Sequence, residues 1–128
     1  KRKKYIEIKK NMEKEITTFE LISNLIYKIC KGELEATFFD NSEDRIVRIS
    51  IPKLNIFFEI SKHYGIQSGE VFFLTLNSSN GSERFILKKD IQNAMIDMFA
   101  NTIRCLRHRS YQKILKEIGY TNSNNSND

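Results

Sequence analysis

The chain has 128 residues, 40% of them hydrophobic, which suits one domain with a single modest core. Its formal charge is +5, but Lys outnumbers Arg 14 to 7 and Asn and Ile are abundant, so bulk charge argues only weakly for nucleic acid. No apolar run approaches the roughly 18 residues of a membrane span, no signal peptide is visible, and Cys30 and Cys105 fit no metal or redox spacing.

The chain opens on Lys1 rather than Met, so it reads as a piece of a longer protein. Tyr5, Ile8, Met12, Glu15, Phe19, Ile22, Ile26 and Ile29 alternate spacings of three and four. That is the rhythm of a coiled-coil seam, broken only at Glu15. The expected dimer seam is therefore Tyr5, Ile8, Met12, Phe19, Ile22, Ile26 and Ile29, with Lys9, Lys10, Glu13 and Lys14 flanking it in solvent. The alternative is a helix packed on its own domain. Thr17 and Glu20 resemble a capping box, but the heptad runs straight through them, so one continuous helix is expected. Gly32, after Lys28 and Lys31, should end it.

From Glu33 to Lys88 the period changes to two. Residues 34–40, 45–51, 54–61, 71–76 and 84–88 read as strands, with turns at 41–44 and 77–82, punctuation at Pro52 and a connection at 63–68. This predicts an antiparallel meander of four or five strands. Phe38-Phe39, Phe57-Phe58 and Phe72-Phe73 are adjacent pairs, so the sheet should be aromatic on both faces. One face calls for a helix; the other calls for a second helix, a second copy of the chain or a stacked base.

After Asp90, a plausible N-cap, Ile91, Met95, Met98, Phe99, Thr102 and Leu106 share one helical face. Tyr111, Ile114, Leu115 and Ile118 share another, rotated by more than a quarter turn. One straight helix cannot bury both, which predicts a break near 107–110 and two helices, the second ending at Gly119. The fold class expected is α+β: a stem helix over 1–31, an α+β head over 32–119 and a polar, disordered tail over 120–128.

His63 and His108 are not spaced for a metal or a triad, no Gly-rich phosphate loop appears, and no carboxylate pair stands out. His63 reads as a loop residue. No catalytic residue, metal site or cofactor is assigned.

Several segments carry a family resemblance. "FEISKHYG" from Phe58 is similar to a family strand that ends in a Tyr-Ala pair. "GEVFFLTLNSSNGSERFIL" from Gly69 keeps a strand, a turn with Gly81-Ser82, and the next strand. Ile103-Arg104 and Ser110 to Ile118 resemble the closing stretch, and Ile8, Lys9, Met12, Ile16 and Phe19 match the stem. The family is the C-terminal domain of the spindle-checkpoint coiled-coil scaffold, mitotic-arrest-deficient protein one, which has an RWD-like kinetochore head. The resemblance departs at Glu7-Ile8-Lys9, where the family has Arg-Leu-Lys, and in extra chain between Ala36 and Leu54.

The resemblance implies a non-catalytic homodimer that helps to recruit a checkpoint scaffold to kinetochores, in the nucleus. Its partner is expected to be another checkpoint protein, such as a phosphorylated kinase segment. Glu7, Ile8, Lys9, Lys10 and Lys14 on the stem, with Arg104, Arg107 and Arg109, are the expected partner-binding residues. Loss of the family's Arg at Glu7 puts phosphate dependence in question. The alternative is a single-stranded nucleic-acid binder, with Phe39, Phe57 and Phe73 as the stacking platform and Arg48, Arg84 and Lys88 on phosphates. Burial discriminates: covered Phe faces favour the first reading, an open aromatic face the second.

Overall fold

The computed structural model describes residues 2–67 and 69–119, with side chains from residue 12 onward. The expected tail, 120–128, lies outside the described residues, as do the side chains of Tyr5, Glu7, Ile8, Lys9 and Lys10.

Helix α1 spans Arg2–Lys31 without interruption. Thr17 does not start a helix. Its hydroxyl donates to the Glu13 carbonyl at 2.8 Å, the back-bond of a Thr inside a helix. Gly32 ends α1 at φ +85°, with Gly32 N–H donating to the Ile29 carbonyl and Glu33 N–H to the Lys28 carbonyl, both at 3.0 Å. A Cβ at Gly32 meets nothing closer than Arg109 Nη2 at 3.8 Å, so Gly32→Ala is strained by its backbone alone. The expected loss is ~1–2 kcal/mol in urea unfolding.

Five strands follow in a pure meander: β1 Thr37–Asn41, β2 Ile46–Ile51, β3 Ile56–Gly65, β4 Gly69–Ser78 and β5 Gly81–Ile86. Asn41 shapes the first turn, its side-chain oxygen accepting from the N–H groups of Glu43 and Asp44. Pro52–Leu54 form a single 3-10 turn between β2 and β3. β3 is longer than the sequence pattern suggests. His63, Tyr64 and Gly65 pair with Val71, Glu70 and Gly69, so the first half of the expected connection at 63–68 is ladder. Backbone pairing carries the hairpin past the point where apolar alternation stops.

The register sets Phe38, Ile49, Phe58 and Leu76 in one row across four strands. On that face Ile49, Ile51, Phe58, Ile60, Leu74 and Leu76 are buried. Ile22, Leu25, Ile26 and Ile29 of α1 join them in the core.

The chain closes with α2, Lys89–Glu117, whose Met95, Phe99, Ile103 and Leu106 complete the core. Phe99 meets Phe58 edge-on, centroids 5.5 Å apart, and Phe19 meets Phe85 at 6.3 Å. Both helices therefore cover the same face of the sheet, touching each other through Ser23 and Met98 and through Cys30 and Thr102.

The break expected at 107–110 is absent, and one helix runs where two were expected. No Gly or Pro stands between Asp90 and Glu117 to force a kink. The conflict between two apolar faces is resolved differently: the second face is left in solvent, with Tyr111 59% and Ile118 71% exposed. Asp90 lies in the first turn of α2 and Lys88 is the N-cap residue. The α+β class, the N-terminal helix, the antiparallel meander and a C-terminal helical segment are all present.

Candidate interaction surfaces

The expected dimer seam divides within α1. Ile22, Ile26 and Ile29 are buried in the chain's own core and Phe19 is half-buried against it, so these four positions are already occupied. A stripe of period 3.5 serves a partner helix or the helix's own head equally well, and for its last three turns the head takes it. Met12, by contrast, is 50% exposed. Ile16, one turn on, is 55% exposed, although the heptad places Glu15 rather than Ile16 in the seam.

The expected cationic residues also separate. Arg109 is half-buried, and its guanidinium donates to the Ile29 and Cys30 carbonyls at the end of α1. It is a helix-end cap rather than free surface. Arg107 pairs with Asp40 at 3.1 Å and lies over the Phe38 ring. Arg104 is exposed, donating to Asn101 at 3.3 Å. Lys14 stands 4.0 Å from Glu83, with both side chains largely exposed, so this pair contributes little. Arg104, Arg107, His108, Tyr111 and Ile114 of α2, with Ile118 just past its end, recur at helical spacing and are all exposed. The C-terminal end of α2 thus offers a basic turn followed by an apolar one.

Among the described residues, no helix lies over the second face of the sheet. Polar Ser50, Ser61, Thr75 and Asn77 alternate there with Phe39, Phe57 and Phe73. Arginines shelter two of the three rings. Arg48 lies over Phe57 at 4.5 Å while pairing with Glu59 at 2.9 Å, and Arg84 lies over Phe73 at 4.0 Å. His63 is a strand residue, correcting its assignment to a loop. Its ring stands edge-on to Phe73 and within 3.3 Å of the Arg84 guanidinium. Phe39 stays 48% exposed. Lys88 lies beyond β5, outside this cluster.

Cys30 and Cys105 are both free thiols. Cys30 is an exposed residue, but partial desolvation of its sulfur beside α2 pushes its pKa up, a Thr102 hydrogen bond pulls it down, and neighbouring Cys105 raises it again. At neutral pH Cys30 is therefore expected to react with iodoacetamide more slowly than free cysteine, its rate climbing only as the pH passes the raised pKa. Peptide-mapped alkylation across a pH series checks this; a rate matching free cysteine contradicts it.

Among the described residues no group of His, Cys, Asp and Glu is placed to hold a metal ion. No helix among them is long and apolar enough to cross a membrane. Comparison with protein-family models, curated proteins and solved structures finds no match to this chain.

Proposed function

We propose that the chain is a non-catalytic protein-interaction module that pairs with a second copy through α1 and presents the end of α2 to a partner. The observation that carries this reading is the distribution of uncovered apolar side chains. Met12 and Ile16 stand open together on the stem, and Tyr111, Ile114 and Ile118 together at the far end of the second helix, whereas other exposed apolar side chains, such as Tyr27, Ile66 and Ile86, are scattered. Tyr5 and Ile8 continue the heptad spacing upstream in sequence.

The family resemblance extends the proposal to a spindle-checkpoint scaffold recruited to kinetochores. The order of helix, antiparallel sheet and helix supports that extension. Its partner is a checkpoint protein offering an acidic or phosphorylated segment. Of the expected cations, Arg104 has no carboxylate partner among the described residues, Arg107 and Lys14 would exchange Asp40 and Glu83 for it, and Arg109 is assigned to capping α1.

Cysteine cross-linking tests the pairing. With Cys30 and Cys105 replaced by Ser, Ile8→Cys and Met12→Cys, both at seam positions of the heptad, are expected to form disulfide-linked dimers on mild oxidation, and Thr17→Cys, on a different side of the helix, is not. Equal linkage at all three positions contradicts a parallel pair.

A second reading is favoured by one observation, the sheet face without a helical cover. If that face binds single-stranded nucleic acid, an oligothymidine should bind with steep salt dependence and be lost on Phe57→Ala. Under the interaction-module reading, no saturable binding sensitive to Phe57→Ala is expected at low salt.

A further inference from the structure

The two helices do not cover the whole inner face of the sheet. Near the tip of the β1–β2 hairpin a cleft of about 350 Å³ remains. Val47, Ile60 and Phe72, from three adjacent strands, form one wall, and Ile96, Phe99 and Ala100 of α2 form the other. Phe99 and Ile60 are fully or nearly buried, whereas Val47, Phe72 and Ile96 are half-buried, so the cleft is a margin of the core held open to solvent. A volume of this order suits one or two apolar side chains.

The rim is polar, and most of its charges are already engaged. Asp40 pairs with Arg107 at 3.1 Å, Lys62 with Glu70 at 3.1 Å, and the Asn41 amide with Asp44 at 2.8 Å. Arg45 differs. It sits at φ +57°, in the left-handed region, and its guanidinium stacks on the Tyr64 ring at 4.3 Å. Among the described residues no carboxylate lies within salt-bridge distance of it. A stacked guanidinium without an acidic partner is a preorganised reader of carboxylate or phosphate. Edge strand β1, whose outer side has no neighbouring strand among the described residues, runs beside the same mouth. A peptide chain can therefore pass the opening.

We propose that this cleft binds a short peptide segment, an apolar side chain entering between Ile60 and Ile96 while an adjacent acidic group meets Arg45. The proposal rests on the interaction-module reading for its choice of a protein partner, but not on the pairing of two copies. It gives the module a specific peptide site apart from the stem, its rim joined to the end of α2 through the Asp40–Arg107 pair.

The test uses the chain with labelled methyl groups and the probe acetyl-Asp-Leu-Phe-Asp-amide, with acetyl-Asp-Ser-Ser-Asp-amide as control. Saturable shifts at the Val47, Ile60 and Ile96 methyls are expected with the first peptide and not with the second. Arg45→Asn keeps a residue that tolerates the left-handed turn but removes the guanidinium, and should weaken binding about tenfold. Ala100→Phe, placed at an exposed helix position beside the mouth, fills the cleft and should abolish binding while leaving the melting temperature unchanged. Absence of saturable shifts, equal response to the Ser peptide, or undiminished binding in either variant overturns the proposal. If Ala100→Phe fails to fold, Arg45→Asn alone decides. A dimeric mass with no peptide binding overturns the cleft and leaves the pairing standing; peptide binding by a monomer does the reverse.

Discussion

Phe58→Ala is expected to cost about 3–5 kcal/mol of folding free energy, far more than truncating any exposed side chain of the sheet. Phe58 is wholly buried at the centre of its sheet row and edges onto Phe99 of α2, so its removal leaves a cavity between sheet and helix. A domain of this size has on the order of 5–15 kcal/mol to lose, and the variant should be only marginally folded at room temperature. Phe39→Ala makes the same chemical change on the opposite face, where the ring is half in water, and should cost under about 1 kcal/mol. Urea unfolding followed by circular dichroism compares the two. Equal losses would mean that the helices do not cover the face described.

Arg109→Ala is expected to destabilise by about 2 kcal/mol, because hydrogen bonds from a charged donor are worth roughly 1.5–3 kcal/mol when a carbonyl is left unpaired. Both accepting carbonyls, those of Ile29 and Cys30, lie in the last turn of α1; Ile29 keeps the Gly32 N–H, so the Cys30 carbonyl is the one left without a protein donor. They belong to the group that no helix can satisfy internally, and a cation there also opposes the negative end of the helix dipole. Arg109→Lys should recover part of the loss, since an ammonium reaches one carbonyl more readily than two. Arg104→Ala, on the exposed face of the same helix, should be near neutral. A loss at Arg104 matching that at Arg109 would contradict the assignment.

The parts of the fold that depend on local chemistry were legible in the sequence. The heptad ran through Thr17, Gly32 stopped α1, Asn41 turned the first hairpin, and the period of two gave an antiparallel meander. The unread parts depend on what lies across a gap. Period 3.5 on α1 cannot say whether Ile22, Ile26 and Ile29 face a partner or the chain's own sheet. Two apolar faces on α2 signalled a conflict, but leaving Tyr111 and Ile118 in water resolves it as readily as a kink does. The aromatic pairs placed rings on both sheet faces, yet that Arg48 and Arg84 shelter Phe57 and Phe73 follows from cross-strand register, which single residues do not display. Arg109 read as surface charge because its partners are backbone carbonyls eighty and seventy-nine residues away. The cleft beside Arg45 left no sequence signal beyond ordinary strand and helix positions.

The central claim is that α1 brings two copies of the chain together, and mass in solution tests it most directly. Light scattering at tens of micromolar should give twice the 15.1 kDa chain mass, and Met12→Glu with Ile16→Glu should return it to one chain without loss of helical signal. A mass of one chain for the unmodified protein at that concentration would contradict the claim.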